Sequence, residues 1–309
     1  MSRCVTVSSY SSNAYAELGQ EELLARSIQV IREAAARGAE LLAFPEAWCQ
    51  LPLIHRNRGG YCASAEAAPG AHSLPIMEAC AACRLPVLWP MLERREEGVF
   101  NTALFIGADG KLLARRDKLY LTDKEANDGV RHGRLLETAD LKFGRVGSAI
   151  CFDANFRDAW SRLKTEGAEL VLFPSMFQAT RHLAARSLEF GYYILTALTR
   201  PGAGQLIGQC GEVLAQADAE GLLVARINLN RRVIHMDNNF ERAAGALAAK
   251  YGDAVRMERM DSESRFALEV VAEGLNVDDL MREFAMEPLD AYYRRMETAR
   301  ARAAGHGPS

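Results

Sequence analysis

The stretch that most constrains the fold is residues 144–153, an apolar run that follows a Gly-Arg turn and ends at Cys151 and Asp153. A short apolar run bounded by turn residues is typical of a buried strand. Residues 156–164 follow with a helical pattern, so the sequence predicts a strand that stops where a helix starts. Backbone N–H groups at such a junction favour negative charge on a nearby sulfur or oxyanion. Cys151 is therefore a candidate nucleophile, although a free cysteine more often acts as a small buried hydrophobe.

The composition excludes several classes of partner. The chain has 309 residues, of which 49% are hydrophobic and 25% charged, as in an ordinary soluble globular protein. A net charge of −3 gives no basic footprint for nucleic acid. The sequence contains no run of about 18 apolar residues, the length that a membrane span needs, so we expect no membrane partner.

The cysteine pattern indicates reduced thiols. Seven cysteines, an odd number, are spread over a chain far longer than a disulfide scaffold, which predicts a reducing, cytoplasmic location. Cys80 and Cys83 form a C-x-x-C, but no second Cys or His pair follows at zinc-ligand spacing. We therefore expect two core-facing cysteines one helical turn apart, and no metal.

Alternating helical and strand patterns predict an α/β fold. In residues 20–38, Leu24, Ile28, Ile31 and Ala35 recur at helical spacing. Residues 39–46 read as a short buried strand that closes on Pro45 and delivers the carboxylate of Glu46. Hairpin signals are interleaved with these elements, which suggests mixed sheets covered by helices.

The composition changes near Val233. Beyond it, residues 240–251, 276–284 and 289–304 look helical and charged. We therefore predict one domain over residues 1–235 and a helical C-terminal extension over residues 236–309.

Three ionisable side chains, those of Glu46, Lys118 and Cys151, stand at the ends of three predicted strands. Sites in α/β sheets gather at the carboxyl ends of strands, so these groups are expected to converge. The trio suits acyl transfer: Glu46 as general base and later acid, and Lys118 with a backbone N–H near Phe152 as the oxyanion donors. On this basis we expect Cys151 to have a pKa well below about 8.5, an advantage that depends on Glu46.

These residues lie in motifs that resemble the carbon-nitrogen hydrolase (nitrilase) superfamily. The motifs are Phe44-Pro45-Glu46, Lys118-Leu119-Tyr120-Leu121 with Glu125, and Ile150-Cys151-Phe152-Asp153. The resemblance covers about residues 3–232. It implies a four-layer α-β-β-α sandwich that forms a homodimer or higher homo-oligomer, and a Glu46-Lys118-Cys151 triad that needs no cofactor. It also implies a second glutamate that positions the lysine, for which Glu125 is preferred over Glu137.

The resemblance further favours one branch of the superfamily. Asp153 after the nucleophile is similar to the amidase and carbamoylase pattern. We therefore expect hydrolysis of a small amide or carbamoyl compound through a thioester at Cys151. Nitrile hydrolysis, acyl transfer to an amine, and a non-catalytic scaffold are the alternatives. The expected substrate-binding residues are Phe152, Phe177, His182 and Trp48, with Tyr61 as another candidate beside Trp48; a surface role for His182 and a packing role for the two aromatics near Glu46 remain open.

Overall fold

Two six-stranded β-sheets are the main feature of the computed structural model, which describes residues 3–56, 59–237 and 240–304. The chain divides into two compact units, Val5–Ile227 and a smaller one formed by Asn228–Ser309 with Met1–Cys4. The predicted boundary after residue 235 therefore falls inside the smaller unit. Each unit is described by itself.

Twelve strands build the two sheets of the larger unit. In chain order they are β1 (Cys4–Tyr10), β2 (Leu41–Ala43), β3 (Val87–Arg95), β4 (Gly98–Ile106), β5 (Leu112–Asp117), β6 (Ala139–Leu141), β7 (Gly144–Ser148), β8 (Leu170–Ser175), β9 (Tyr193–Leu198), β10 (Gln205–Ile207), β11 (Val213–Gln216) and β12 (Leu222–Asn228). The first sheet has the order β12-β1-β2-β3-β4-β5 and the second the order β11-β10-β9-β8-β7-β6. Strands β1, β2 and β3 are parallel, as are β7, β8 and β9, whereas β3-β4-β5 and β9-β10-β11 are antiparallel. Both sheets are therefore mixed, as the interleaved hairpin signals predict.

The described part of the larger unit contains six α-helices. In chain order they are α1 (Gln20–Ala36), α2 (Leu51–His55), α3 (Ser73–Cys83), α4 (Asp123–Asn127), α5 (Arg157–Thr165) and α6 (Thr180–Phe190). Helices α1 and α3 share one hydrophobic core with the first sheet, and α5 and α6 share another with the second. Between the sheets, the Ser11 hydroxyl after β1 accepts a 2.9 Å hydrogen bond from the N–H of Leu198 in β9. The layers thus follow the α-β-β-α order expected from the sequence.

Helix α1 shows how closely a hydrophobic pattern fixes a buried face. Its fully buried residues include Leu23, Val30 and Ala34, whereas the predicted stripe residues Leu24, Ile28 and Ala35 are only partly buried. Apolar residues stand next to one another at 23–24, 30–31 and 34–35, so the pattern fixes the helix but leaves its rotation open by about one position.

The smaller unit corrects the prediction of a purely helical extension. Its elements are β13 (Arg231–His235), α7 (Phe240–Tyr251), β14 (Val255–Met260), β15 (Arg265–Val270), α8 (Val277–Glu283) and α9 (Leu289–Ala303). The three predicted helices are present, but β13, β15 and β14 form an antiparallel sheet that the sequence analysis missed. Strand β14 lies at the sheet's edge with mostly exposed or half-buried side chains, so it carries little of the hydrophobic signal by which strands are recognised.

No helix in the described ranges is both long enough and apolar enough to cross a membrane.

Candidate active site

Four side chains from separate elements meet in the interior of the larger unit. Glu46 follows β2, Lys118 follows β5, and Glu125 lies in α4. The Lys118 Nζ donates to Glu46 Oε1 at 2.8 Å and to the two Glu125 carboxylate oxygens at 2.9 and 2.7 Å. Each of these three residues is only 1% exposed. The structure thus brings together the general base, the lysine and the preferred second glutamate of the sequence analysis.

The fourth group is Cys151, which opens a short 3-10 helix, Cys151–Asn155, after β7. Its φ of 48° lies in the left-handed region, a conformation that costs a non-glycine residue about 1 to 3 kcal/mol and is characteristic of functional sites. The sharp turn leaves Cys151 7% exposed. The Met176 backbone N–H donates a hydrogen bond to its sulfur, and the Ser175 hydroxyl, which donates to the Phe177 carbonyl at 2.7 Å, lies beside that sulfur.

The resting thiol is neutral. Burial, followed by the negative charge of Glu46, raises the pKa of Cys151 to about 12, against the opposing effects of Lys118, Ser175 and the Met176 N–H. The expectation of a thiol pKa below 8.5 is therefore wrong for the resting site. A buried thiol beside a carboxylate keeps its proton because a second negative charge there is unfavourable.

The two charged partners keep their ordinary ionisation states. Burial alone would lower the pKa of Lys118, but the negative charges of Glu46 and Glu125 and the hydrogen bond to Glu125 outweigh it and raise that pKa. Burial works against the charge of Glu125, but the Lys118 ammonium and hydrogen bonds from Thr122 and Asn101 lower its pKa. Lys118 is therefore an ammonium and Glu125 a carboxylate at neutral pH.

The two oxygens of Glu46 have different surroundings. Oε1 accepts hydrogen bonds from Lys118 Nζ and from Asn101 Nδ2, both at 2.8 Å. Oε2 is buried and has no hydrogen-bond partner among the residues that the structure describes. By contrast, both oxygens of Glu125 are bonded, because Thr122 N–H and Oγ1 also donate to its Oε2. Glu46 thus has an acceptor site available and Glu125 does not.

The two glutamates considered for the lysine-positioning role lie in different environments. Glu125 is bonded to Lys118 as described above, at the N3 position of α4, where it forms a capping box with Thr122. Glu137 is exposed, and its Oε2 accepts from the backbone N–H of Arg115. Of Glu125 and Glu137, only Glu125 hydrogen-bonds to Lys118.

Asn101, in the middle of β4, was missed by the sequence analysis. Its Nδ2 donates to Glu46 Oε1 and to Glu125 Oε1, both at 2.8 Å, and it is 1% exposed. Its backbone carbonyl also accepts from the N–H of Lys118. The available signal was a pair of polar residues, Asn101 and Thr102, within the otherwise apolar run 99–106, since buried polar side chains need partners.

Asp153 supports the nucleophile's turn. Its buried carboxylate accepts from the backbone N–H groups of Ile150, Tyr120 and Leu119 at 3.0, 2.8 and 3.4 Å. Burial raises its pKa to about 6 in spite of those donors. Asp153 therefore ties the loop after β5 to the turn after β7.

The expected substrate-binding residues fall into two groups. Phe152 and Phe177 are half-buried and 39% exposed, respectively, and His182 is exposed on α6. Trp48 instead is fully buried: its ring contacts Tyr10 edge-on and its Nε1 donates to Ser27 of α1. The prediction that Trp48 lines a pocket is therefore wrong, because it packs in the core between α1 and the first sheet.

Tyr61, which lies between α2 and α3, is close to the charged cluster. Burial and the charges of Glu125 and Glu46 raise its pKa, so its hydroxyl lies within electrostatic reach of both carboxylates. It is half-buried, which leaves part of the ring for contact with a ligand. In the described ranges, no group of three or more His, Cys, Asp and Glu side chains is arranged to hold a metal ion.

The fold and these residues match one family of enzymes. The chain belongs to the carbon-nitrogen hydrolase family, whose sequence pattern it matches over residues 6–233. Together with its relatives, this makes it an amidase-type hydrolase.

Its relatives include omega-amidases. The omega-amidase NIT2 of Bos taurus is 26% identical over 238 residues, 69% of this chain and 85% of the relative. The corresponding protein of Homo sapiens is 26% identical over 64% of this chain and 80% of its own length.

Solved structures share the fold. Nit3 of Saccharomyces cerevisiae, a member of branch 10 of the nitrilase superfamily, superposes with a TM-score of 0.62 at 17% identity, over 72% of this chain and 90% of its own. An amidase from Nesterenkonia sp. superposes with a TM-score of 0.61 at 20% identity, over 74% and 91%. The nitrilase-like sandwich expected from the sequence is thereby confirmed.

Proposed function

We propose that Cys151 is the nucleophile of an enzyme that hydrolyses a small amide or carbamoyl compound through a thioester. Glu46 is the general base and acid, Lys118 and the Phe152 backbone N–H hold the oxyanion, and Glu125 positions the lysine. The observation that carries this assignment is a contrast between the two carboxylates at Lys118. Glu46 has a buried oxygen with no hydrogen-bond partner in the described part of the chain, whereas both oxygens of Glu125 are hydrogen-bonded.

The neutral thiol decides how the first step proceeds. As the sulfur attacks the carbonyl carbon, Oε2 of Glu46 takes the thiol proton, so no thiolate has to exist beforehand. The carbonyl oxygen gains the negative charge, which Lys118 and the Phe152 N–H stabilise; one such donor is typically worth about 3 to 4 kcal/mol.

The remaining steps return the site to its starting state. Glu46 gives its proton to the leaving nitrogen, the C–N bond breaks, and ammonia or an amine departs, leaving a thioester at Cys151. Glu46 then takes a proton from water, whose oxygen attacks the thioester carbonyl. The C–S bond breaks, the sulfur regains a proton, and the acid is released.

The relatives support a primary amide as the substrate. Those most similar in sequence include omega-amidases, and the Nesterenkonia amidase has been seen, as a glutamate-to-glutamine variant, with the acetamide moiety of fluoroacetamide added covalently at its active-site cysteine. The nucleophile here is only 7% exposed, so a slender group at the end of a chain reaches it most readily. We propose that the protein releases ammonia from such a terminal amide.

The first experiment compares Cys151→Ala with Cys210→Ala, which changes a partly exposed cysteine of the β10-β11 hairpin. Ammonia release from a panel of terminal amides, carbamoyl compounds and nitriles should fall at least about 10³-fold for Cys151→Ala and stay near wild type for Cys210→Ala. Intact-protein mass spectrometry during turnover should show an acyl adduct that maps to Cys151. Turnover by the Cys151→Ala protein would refute the assignment, and acyl transfer to an added amine would identify the alternative reaction.

Three expectations stay proposals. All seven cysteines are free thiols, which supports a reducing, cytoplasmic location. The homodimer rests on the family resemblance, and the exposed apolar side chains of Met176 and Phe177 are compatible with a covered surface. The separate C-terminal extension, predicted over residues 236–309, is supported by a hydrophobic core that this part of the chain forms together with Ile234.

A further inference from the structure

A groove in the larger unit lies at the strand ends opposite to those that carry the catalytic groups. Its walls come from residues just before β2 and β3, from the β4-β5 hairpin and from the β6-β7 hairpin, and it encloses about 430 Å³. The catalytic groups Glu46, Lys118 and Cys151 lie beyond the other ends of β2, β5 and β7. Five residue steps along β5 separate Leu113 in the groove from Lys118, roughly 17 Å at about 3.3 Å per residue. The groove is therefore distinct from the active site.

The floor of the groove is apolar. Pro86, Leu113, Leu141 and Phe143 contribute to its lining, and Leu113 is 47% exposed although it is a large hydrophobic residue. Volumes between about 300 and 1,000 Å³ are typical of pockets that hold small molecules. An exposed leucine within such a concave surface indicates that an apolar group can be buried there.

The positively and negatively charged side chains on the rim differ in whether they have partners. Arg84 and Lys142 line the groove, and neither side chain has an ion pair or hydrogen bond to the residues that the structure describes. The three carboxylates of the lining each have a partner, as follows: Glu40 accepts from Thr6 N–H, Asp109 pairs with Lys111, and Asp140 pairs with Arg145.

The paired carboxylates do not cancel the attraction for an anion. With Lys111 and Arg145 counted as their partners, the rim holds four cationic side chains against three carboxylates. Hydrogen bonds and charge from Lys111 lower the pKa of Asp109, and those from Arg145 lower that of Asp140, so both stay ionised and bonded to their own cations. Glu40 has only a backbone N–H as its partner, so its negative charge offsets part of the charge of Arg84 and Lys142. Four cations against three carboxylates leave the rim with one net positive charge beside an apolar floor.

We propose that this groove is a binding site for a small amphipathic anion, a molecule with one acidic head group and an apolar body. The head group pairs with Arg84 and Lys142, and the body covers Leu113, Leu141 and Phe143. Two positive charges and an apolar floor select against a neutral or cationic molecule of the same shape. This site does not depend on the identity of the nucleophile.

The test measures binding of three probes by titration calorimetry with the full-length protein. The probes are octanoate, octyl phosphate and octylammonium, which share one apolar chain and differ in head group. The two anions should bind saturably and octylammonium at least about tenfold more weakly, the loss expected when attraction to two cations becomes repulsion. The ratio of the dissociation constants of octanoate and octyl phosphate then identifies the preferred acidic head group.

Variants locate the binding. Leu113→Glu places a carboxylate on the floor and should abolish anion binding, whereas Leu74→Glu is the matched control because Leu74 is 48% exposed on α3 outside the groove lining. The Arg84→Gln/Lys142→Gln double variant should weaken both anions about tenfold, and Arg226→Gln, an exposed arginine of β12, should not. Retained amidase activity shows that each variant is folded. The proposal is overturned if neither anion binds saturably, if octylammonium binds as well as the anions, or if the folded groove variants keep wild-type affinity.

Discussion

Glu46 presents two chemically different oxygens to the nucleophile's surroundings. One is held by Lys118 and Asn101, so the carboxylate cannot rotate away, and the other has no hydrogen-bond partner in the described residues. The same carboxylate raises the pKa of the Cys151 thiol, so it holds the proton on sulfur until a substrate arrives. We therefore propose that Glu46 suppresses the resting thiolate and assists the reacting one.

Glu46→Gln should speed up alkylation of Cys151 and slow down ammonia release. Removing the carboxylate charge lowers the pKa of Cys151, so alkylation at pH 8, measured by peptide mass spectrometry, should speed up about tenfold for each unit by which that pKa falls. Ammonia release should fall roughly 10²- to 10⁴-fold because the general base is lost. Glu137→Gln, at an exposed position, is the control and should change neither rate. Slower alkylation together with slower turnover would show that Glu46 generates a standing thiolate instead.

Helix α4 positions the carboxylate of Glu125 to accept hydrogen bonds from the Lys118 ammonium. The helix is only five residues long, and its capping box uses the same Glu125 oxygen that also accepts from Lys118. A short helix is stabilised more by its caps and its packing than by its own hydrogen bonds. The local fold of α4 and the position of the Lys118 ammonium are therefore coupled.

Glu125→Gln should reduce kcat/KM about 100-fold without unfolding α4. Glutamine keeps an acceptor for the capping box, but the neutral amide no longer holds the ammonium in place, and a small misplacement of a catalytic group has a cost of this size. Steady-state kinetics measure the loss, and circular dichroism checks the fold. Glu137→Gln again serves as the matched control. If it were the damaging variant and Glu125→Gln were neutral, the lysine-positioning role would belong to Glu137.

The sequence predicted the elements better than it predicted the packing around them. Strand ends carrying Glu46, Lys118 and Cys151 could be located because short apolar runs end in polar residues there. The role of Asn101 could not, because its two glutamate partners are distant in the chain and only the folded sheet brings them together. The environment of Trp48 was predicted wrongly for a similar reason. An aromatic side chain beside the Glu46 segment can face either the pocket or the core, and the hydrogen bond from Trp48 Nε1 to Ser27 of α1 holds this one in the core.

Asp153 links the two sheets of the larger unit. Its carboxylate lies in the turn after β7 of the second sheet and accepts N–H groups of Leu119 and Tyr120, which follow β5 of the first. Because it is buried, its pKa in the folded protein is about 6, above the usual value of about 3.8. The folded state therefore holds a proton that the unfolded chain releases at lower pH.

This difference predicts how stability depends on pH. A raised carboxyl pKa stabilises the folded state fully below about pH 3.8, and that contribution is lost as pH rises to about 6. Between pH 4 and 7, wild type should lose about 2 kcal/mol of unfolding free energy relative to Asp153→Asn, measured by urea denaturation at each pH. Asp123→Asn, at an exposed position, should track wild type throughout. Parallel pH curves for wild type and Asp153→Asn would contradict the prediction.

The order of strands in the first sheet has a consequence for synthesis. Strand β1 pairs with β2 on one side and with β12 on the other, and β12 leaves the ribosome only after the whole second sheet has been made, so one edge of β1 stays unpaired until then. Contacts between segments so distant in sequence form slowly, and an unpaired strand is open to association with other chains. The Glu46 and Lys118 side chains lie on the sheet that is completed last. A nascent chain released before residue 222 thus carries every proposed catalytic residue and still lacks an edge of the scaffold that aligns them.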